Sequence, residues 1–312
     1  MEKSKGLRLI MELSALLSCL TSGSCLVTQT ASGLISGSVL FIVASGLTLI
    51  FGVLGFVNFM HGSLYMIGSY LAYSTFAETG SFLVSVVVAS LGTALISIVL
   101  ERMVVRRVYS INPLFQILVC YALILIFDDG VRIIWGSDFL SMGMPDAFRS
   151  APLIVLGGVV PPFYLVLIVI AIVIAVMLII TLQRTLIGQI IRAAAHNRSM
   201  VASLGINTGI IFTIVFALGG ALAGAAGGLA APVRSISSGM GFSVLIDSFI
   251  VVVIGGMGSV SGALVVALGL GVFRAFGALG FPLFTDGLVF LAMTLFLILR
   301  PNGIFSPKVR NA

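Results

Sequence analysis

Charged side chains are scarce in this sequence. Asp, Glu, Lys and Arg make up 8% of its 312 residues, against roughly 25% in soluble domains, which excludes a water-soluble fold of this size. The few charges are also bunched. None falls between Glu12 and Glu78, between Arg149 and Arg184, or between Asp247 and Arg274. The chain lacks a GxxxxGK[ST] phosphate loop, so it is not expected to hydrolyse ATP by itself. It also lacks paired acidic residues for a mid-membrane proton relay and an Arg-rich voltage-sensing helix, which weakens any reading with a private energy source. Cysteine is nearly missing. Cys19, Cys25 and Cys120 sit in apolar surroundings with no CxxC and no Cys/His cluster. They read as small packing residues rather than a disulfide or a metal site. No cofactor and no metal are expected.

What is present is apolar length. The sequence is 60% hydrophobic, with a mean hydropathy of +1.26. A hydrocarbon core of roughly 30 Å asks about 20 apolar residues of a helix. Because every backbone N–H and C=O must be satisfied in lipid, only helices or closed barrels can span it. Barrel strands alternate over roughly ten residues, whereas segments such as 163–182 are apolar on all sides. The expected fold is therefore all-α, a polytopic transmembrane bundle of about 8–10 helices, some broken or short. Helices are expected near 33–56, 60–77, 82–100, 112–128, 162–182, 207–230, 243–257, 260–277 and 284–300. The expected division is an N-terminal segment 1–32, a transmembrane domain 33–305 and a tail 306–312. Residues 9–28, after the basic start Lys3, Lys5 and Arg8, read as a retained segment lying at or crossing the membrane.

The net charge of +6 orients the bundle rather than marking a nucleic-acid binder. Arg102, Arg106 and Arg107 share one loop, Arg184, Arg192 and Arg198 another, and Arg300, Lys308 and Arg310 the C-terminus. That side is expected to be cytoplasmic. The opposite loop at 129–161 carries Asp129, Asp138 and Asp146. It offers an extracytoplasmic partner a place to dock.

Two stretches interrupt the helical pattern, Val57-Asn-Phe-Met-His-Gly62 and Gly255-Gly-Met-Gly-Ser-Val-Ser-Gly262. Irregular backbone at membrane depth is tolerated where it is buried in protein or lines a wet cavity. Asn58 and His61, together with Gly255, Gly256, Gly258 and Ser259, are therefore candidate transport-pathway residues. Asn58 and His61 serve equally as braces of the break. The breaks also hint at an internal duplication, of the kind transporters carry. Asp247 is a further candidate, facing an outer vestibule or simply favoured by a helix dipole. Asp128 and Asp129 with Arg132 read as an exposed pair bracing a loop. Gly219, Gly220, Gly224, Gly227 and Gly228 read as a close-packing helix face. In the loop 183–206, Arg192-Ala-Ala-Ala195 favours a helix and Gly205 fits its C-terminal position. Such a helix can insert into a groove on a partner.

Several motifs together resemble the branched-chain amino acid permeases of ATP-binding-cassette importers. They are Gly46-Leu-Thr-Leu-Ile-Phe-Gly52, the Val57 to Gly62 break followed by Tyr65-Met-Ile-Gly68, Arg192-Ala-Ala-Ala-His-Asn197 running on through Ala202 to Leu204-Gly-Ile206, Gly255-Gly-Met-Gly-Ser259 with Gly262-Ala263, and Arg300-Pro-Asn-Gly-Ile304. The resemblance runs from about residue 33 to 305. Departures fall at Met60, where the family commonly has Ala, at Ser63, often acidic in the family, and at Arg106-Arg107, often Arg-Pro. The resemblance implies a permease subunit in a bacterial inner membrane, driven by separate ATPase subunits. It would pair with a second related permease or with itself and receive solute from an extracytoplasmic binding protein. Branched-chain amino acids are the implied solute, although the family also resembles importers of urea and amides. The loop around Arg192, Ala193, His196, Asn197, Ala202, Leu204 and Gly205 would be the coupling helix. The alternative from another class is a channel or facilitator without ATP. A third is an assembly protein with no flux.

Overall fold

A computed structural model describes residue 14 and residues 16–109, 111–300 and 303–305. The expected tail 306–312, and Lys3, Lys5 and Arg8, lie outside the described residues. The fold is an all-α polytopic bundle. Its long helices are α1 (Gly23–Leu54), α2 (His61–Thr79), α3 (Phe82–Leu100), α4 (Pro113–Trp135), α5 (Pro162–Arg184), α8 (Thr208–Ala230), α9 (Met240–Gly255), α10 (Val260–Gly280) and α11 (Thr285–Leu299). Two shorter helices, α6 (Leu186–His196) and α7 (Arg198–Ser203), join α5 to α8. Six stretches are long and apolar enough to cross a membrane: Gly23–Leu54, Phe82–Val108, Pro162–Arg184, Thr208–Ala230, Val260–Gly280 and Pro282–Leu299.

Local chemistry sets the boundaries. Asn112 accepts from the N–H of Leu114 and is followed by Pro113, so α4 starts there. Asn207 caps α8 through the N–H groups of Gly209 and Ile210, and Ser259 caps α10 through Gly262. At the other ends, Gly55 and Gly80 take left-handed conformations that close α1 and α2. α3 does not stop at Leu100. It runs through one π turn, Glu101–Val105, into Arg106–Val108, so the expected loop at 101–110 is mostly helix.

α1 starts ten residues earlier than expected. Its 32 residues rise about 48 Å at 1.5 Å each, and the boundary expected at 32/33 falls inside it. Residues 23–28 are its first turns, so the stretch 9–28 is not one separate element. The cysteine expectation is corrected as well. Cys19 and Cys25 form a disulfide, with Cα atoms 5.2 Å apart, because the chain turns at Ser22 between two helical stretches. Cys120 is free and buried, a packing residue as expected.

α1 is the central strut, packed by α10, α8, α5 and α9. Its middle, Phe41 to Leu47, is buried throughout. α3 and α5 instead turn large apolar side chains outward, among them Leu83, Leu91, Val169 and Val176. That is the surface a helix presents to lipid. Close helix contact uses the glycine face anticipated on α8. A Cβ on Gly224 would overlap the Thr93 hydroxyl, and one on Gly227 would overlap the Tyr65 carbonyl. α9, 16 residues and about 24 Å long, is too short to span alone. It meets α10 backbone to backbone at Gly255 and Gly262. An antiparallel hairpin, β1 (Leu153–Val155) with β2 (Gly158–Val160), lies against the start of α1, where the Val159 N–H donates to Thr28 Oγ1 at 3.2 Å.

Candidate functional site

Helix connectivity gives the bundle two unlike ends. One carries Arg102, Arg106, Arg107, Arg184, Arg192 and Arg198 and, among the described residues, the single carboxylate Glu101. The other carries the hairpin, the disulfide and the remaining described carboxylates.

A cavity opens near each end, and α1 lines both. At the hairpin end a cavity of about 360 Å³ lies between α1 and α10. Ser32, Ser36 and Val39 of α1, Asp247 of α9 and Leu270 and Arg274 of α10 are among its lining. At the basic end a cavity of about 410 Å³ is lined by Thr48, Gly52 and Val53 of α1, Gln183, Arg192, and the turn Gly258-Ser259. Leu40 and Thr48, the facing limits on α1, are eight residues apart, about 12 Å. The segment between them is closed by packing. His61 is buried against it, and its Nε2 donates to the Val43 carbonyl at 3.1 Å. The ring also lies against Gly46, where a Cβ would come 3.0 Å from ring atoms.

The expected pathway residues therefore divide. Asp247 lines the hairpin-end cavity, and Gly258 and Ser259 line the basic-end one. Gly258 has φ +87° and approaches Gly52 closely. Gly255 and Gly256 line neither cavity; they pack on the backbone of Gly262 and Gly303. Asn58 and His61 are fully buried behind the closed segment. Asn58 precedes α2 rather than lying on it, and neither its amide oxygen nor its nitrogen has a partner among the described residues. Asp247 is the eighth residue of α9, beyond the first turn where the helix dipole acts. Its Oδ2 is held instead by Arg274 Nη1, and Arg274 Nη2 also donates to Asp286 at 2.6 Å. Asp129 and Arg132 form an exposed pair at 3.6 Å, but one turn apart within α4, which runs on to Trp135, rather than across the loop expected there.

At the basic end, the segment 186–205 is two helices rather than one. Asn197 leaves helical geometry and its Oδ1 accepts from the Met200 N–H at 3.0 Å, restarting the helix as α7. Gly205 follows α7 with φ +81°, as its helix-ending role requires. Ile191, Ala194 and Val201 face inward onto Leu49, Val53 and Phe212. Arg192, Ala193, His196, Asn197, Ala202, Leu204 and Gly205 are all exposed, so the same short segment has one face on the bundle and one free.

Behind that segment stands a buried cluster that sequence patterns missed. Glu101 is fully buried and accepts from Arg106 Nε at 3.1 Å, Arg106 Nη2 at 2.8 Å and Thr213 Oγ1 at 2.7 Å. Tyr109 donates its hydroxyl to Glu101 at 3.4 Å. Burial, and then the Glu101 charge, push the Tyr109 hydroxyl pKa far above its ordinary value, so it remains a donor. Aromatic rings extend the cluster both ways. Arg198 of α7 lies 4.7 Å over the Phe212 ring, Phe212 meets Tyr109 edge-on at 5.9 Å, and Tyr109 meets Phe56 edge-on at 5.7 Å. Phe56 belongs to the break that leads into His61. Contacting side chains thus run from the free segment to Phe56, and the backbone leads on from there to His61.

A family model described as branched-chain amino acid transport system, permease component, matches residues 29–298. The chain is 30% identical over 297 residues to the high-affinity branched-chain amino acid transport system permease protein BraD of Pseudomonas aeruginosa, covering 91% of this chain and 97% of that relative. It is 27% identical over 299 residues to the permease proteins LivH of Escherichia coli and of Salmonella typhimurium, each covering 91% of this chain and 96% of the relative. No solved structure matches the chain.

Proposed function

The chain belongs to the branched-chain amino acid permease family, and on that premise we propose that it is the membrane-embedded permease subunit of an ATP-binding-cassette importer for branched-chain amino acids. The observation that carries this reading is the pair of cavities at opposite ends of α1, separated by the buried stretch from Phe41 to Leu47. A pathway open at both mouths and sealed in the middle is what a protein needs if it exposes one solute site to alternate sides. The basic end is cytoplasmic by the positive-inside rule. The disulfide at the other end agrees, since disulfides persist in oxidising compartments. A binding protein delivers solute at the hairpin end, a second related permease completes the assembly, and the whole sits in a bacterial inner membrane.

Separate ATPase subunits supply the energy through the exposed face of α6 and α7. They shift the permease by the difference in their affinity for its two states. The row of contacts Arg198, Phe212, Tyr109 and Phe56 gives that shift a physical route toward the closed centre.

The test is a reconstituted complex in which solute uptake and ATP hydrolysis are measured together. Leu204→Asp changes the exposed face alone, and Arg192→Glu changes both that face and the basic-end cavity it lines, so stimulation of the ATPase is expected to be lost while membrane insertion is kept. Tyr109→Ala lies inside, so hydrolysis is expected to continue with less solute moved per ATP. Unchanged stimulation in both surface variants would remove this segment from the mechanism. Uptake by the permease without any ATPase would favour the facilitator reading.

A further inference from the structure

We infer that the basic-end cavity holds the phosphate group of an anionic phospholipid from the cytoplasmic leaflet, with Arg192 at its rim and the lipid's hydrocarbon along Ile179 and Leu182. The site needs no ATPase and is the same whether the permease is driven or passive.

Charge calls for an anion. Arg192 is the one charged residue in the lining. The single described carboxylate at this end, Glu101, is buried and taken by Arg106. Arg192 itself has no ion pair among the described residues, so the cavity carries an uncompensated positive charge. Gln183 and Ser261 add donors, and the start of α10 at Ser259 and Val260 lies in the lining as well. Of the leading N–H groups of that helix, Gly262 donates to Ser259 Oγ at 3.1 Å and Ala263 to the Ser259 carbonyl at 3.0 Å, which leaves those of Val260 and Ser261 for a ligand. A helix N-terminus beside a guanidinium favours an oxyanion.

Thr48 is an independent sign of a ligand. It is 1% exposed, it lines the cavity, and its hydroxyl has no partner among the described residues. A buried hydroxyl left unpaired is costly, and a ligand that reaches it removes the cost. Thr48 stands five residues before Val53, another lining residue, and so about 7.5 Å deeper along α1. A phospholipid carries ester oxygens below its phosphate and so offers an acceptor at both levels; inorganic phosphate offers one.

The rest of the lining is apolar, with Leu49, Ile179, Leu182 and Phe305 among it. α5 has 23 residues and rises about 35 Å, enough to cross a hydrocarbon core of roughly 30 Å. Its end at Gln183 therefore lies at the level of lipid phosphates, and Ile179 lies one turn within the hydrocarbon. Met177 and Ile180, close to Ile179 in the chain, are exposed on the lipid side. One helix thus borders both the cavity and the lipid. Basic pockets between helices on the cytoplasmic side are where anionic headgroups bind, and about 410 Å³ takes a headgroup and part of one chain. A lipid there fills the inner mouth while the centre is closed, and so favours this arrangement over an open one.

The test places the full chain, without nucleotide, in phosphatidylcholine nanodiscs. Trp135→Phe removes the sole tryptophan, and Phe305→Trp puts a reporter in the cavity lining. The probes are phosphatidylglycerol and phosphatidylcholine, each brominated on its chains, which quench tryptophan on contact. Brominated phosphatidylglycerol is expected to reach half-maximal quenching at about fivefold lower mole fraction, the preference that one arginine gives for an anionic headgroup. Arg192→Gln and, separately, Ser261→Asp, which adds a carboxylate to the lining, are each expected to abolish that preference. Ile179→Trp takes over as reporter if Phe305→Trp does not fold. Equal quenching by the two lipids, or a preference that survives both substitutions, overturns the inference. So does displacement by inorganic phosphate, which would make this a site for a free anion, or by L-leucine, which would make it part of the solute pathway. Potassium chloride at equal ionic strength is the reference for both competitors.

Discussion

A single carboxylate, Glu101, shows what burial demands of a charge. It has no exposure, while its partner Arg106 is 42% exposed. The two partners are therefore not interchangeable. Removing Arg106 strands a buried carboxylate, and breaking a buried pair in that direction costs about 3–5 kcal/mol. Removing the charge with Glu101→Gln leaves a guanidinium that reaches water, and about 1 kcal/mol is expected, the size of a lost hydrogen bond. Thermal unfolding of the detergent-solubilised protein checks this: Arg106→Ala should lower the midpoint much more than Glu101→Gln, and the opposite order would contradict the burial. The sequence shows Arg106 as one more orienting charge and gives no sign of its partner. Residues five apart fall on different faces of an α-helix, and it is the π turn that brings them together. Asp247 was legible as a polar group in an apolar helix, but Arg274 lies 27 residues away, and no local pattern links them.

Among elements, α9 is held at both ends by glycine. A Cβ on Gly62, the second residue of α2, would overlap the Gly241 carbonyl, and one on Gly262, the third residue of α10, would overlap the Gly255 carbonyl. Neither obstacle is a side chain that can rotate aside. Gly262→Val is therefore expected to cost about 3 kcal/mol or more, the upper end of overpacking, and to reduce the folded yield in membranes. Gly269→Ala, whose added Cβ meets open space, serves as the matched control. A normal yield for Gly262→Val would mean α9 and α10 are not in contact there. Both breaks were readable in advance, because polar and glycine-rich runs stand out against apolar ones. The start of α1 was less so. Ser24, Thr28, Gln29 and Thr30 lower the local hydropathy, yet the helix continues through them because it packs on the hairpin and lines a polar cavity there.

At the scale of the whole molecule, two unrelated rules assign the same sidedness, one from arginine placement and one from the disulfide. In intact cells a membrane-impermeant maleimide should label the half-buried Cys25 only after an external reductant opens its bond to the buried Cys19, with Cys19→Ser/Cys25→Ser as the blank. Labelling that instead requires permeabilised cells and no reductant would invert the protein in the membrane. The arginine asymmetry was legible because it depends only on where arginines fall between apolar segments; the disulfide was not, since two cysteines six residues apart pair only if the chain between them turns back. The stretch from Phe41 to Leu47 has a consequence for the host cell. With those side chains buried, an idle copy is expected to hold the proton and sodium gradients across the membrane, so that many copies can be kept without electrical leak.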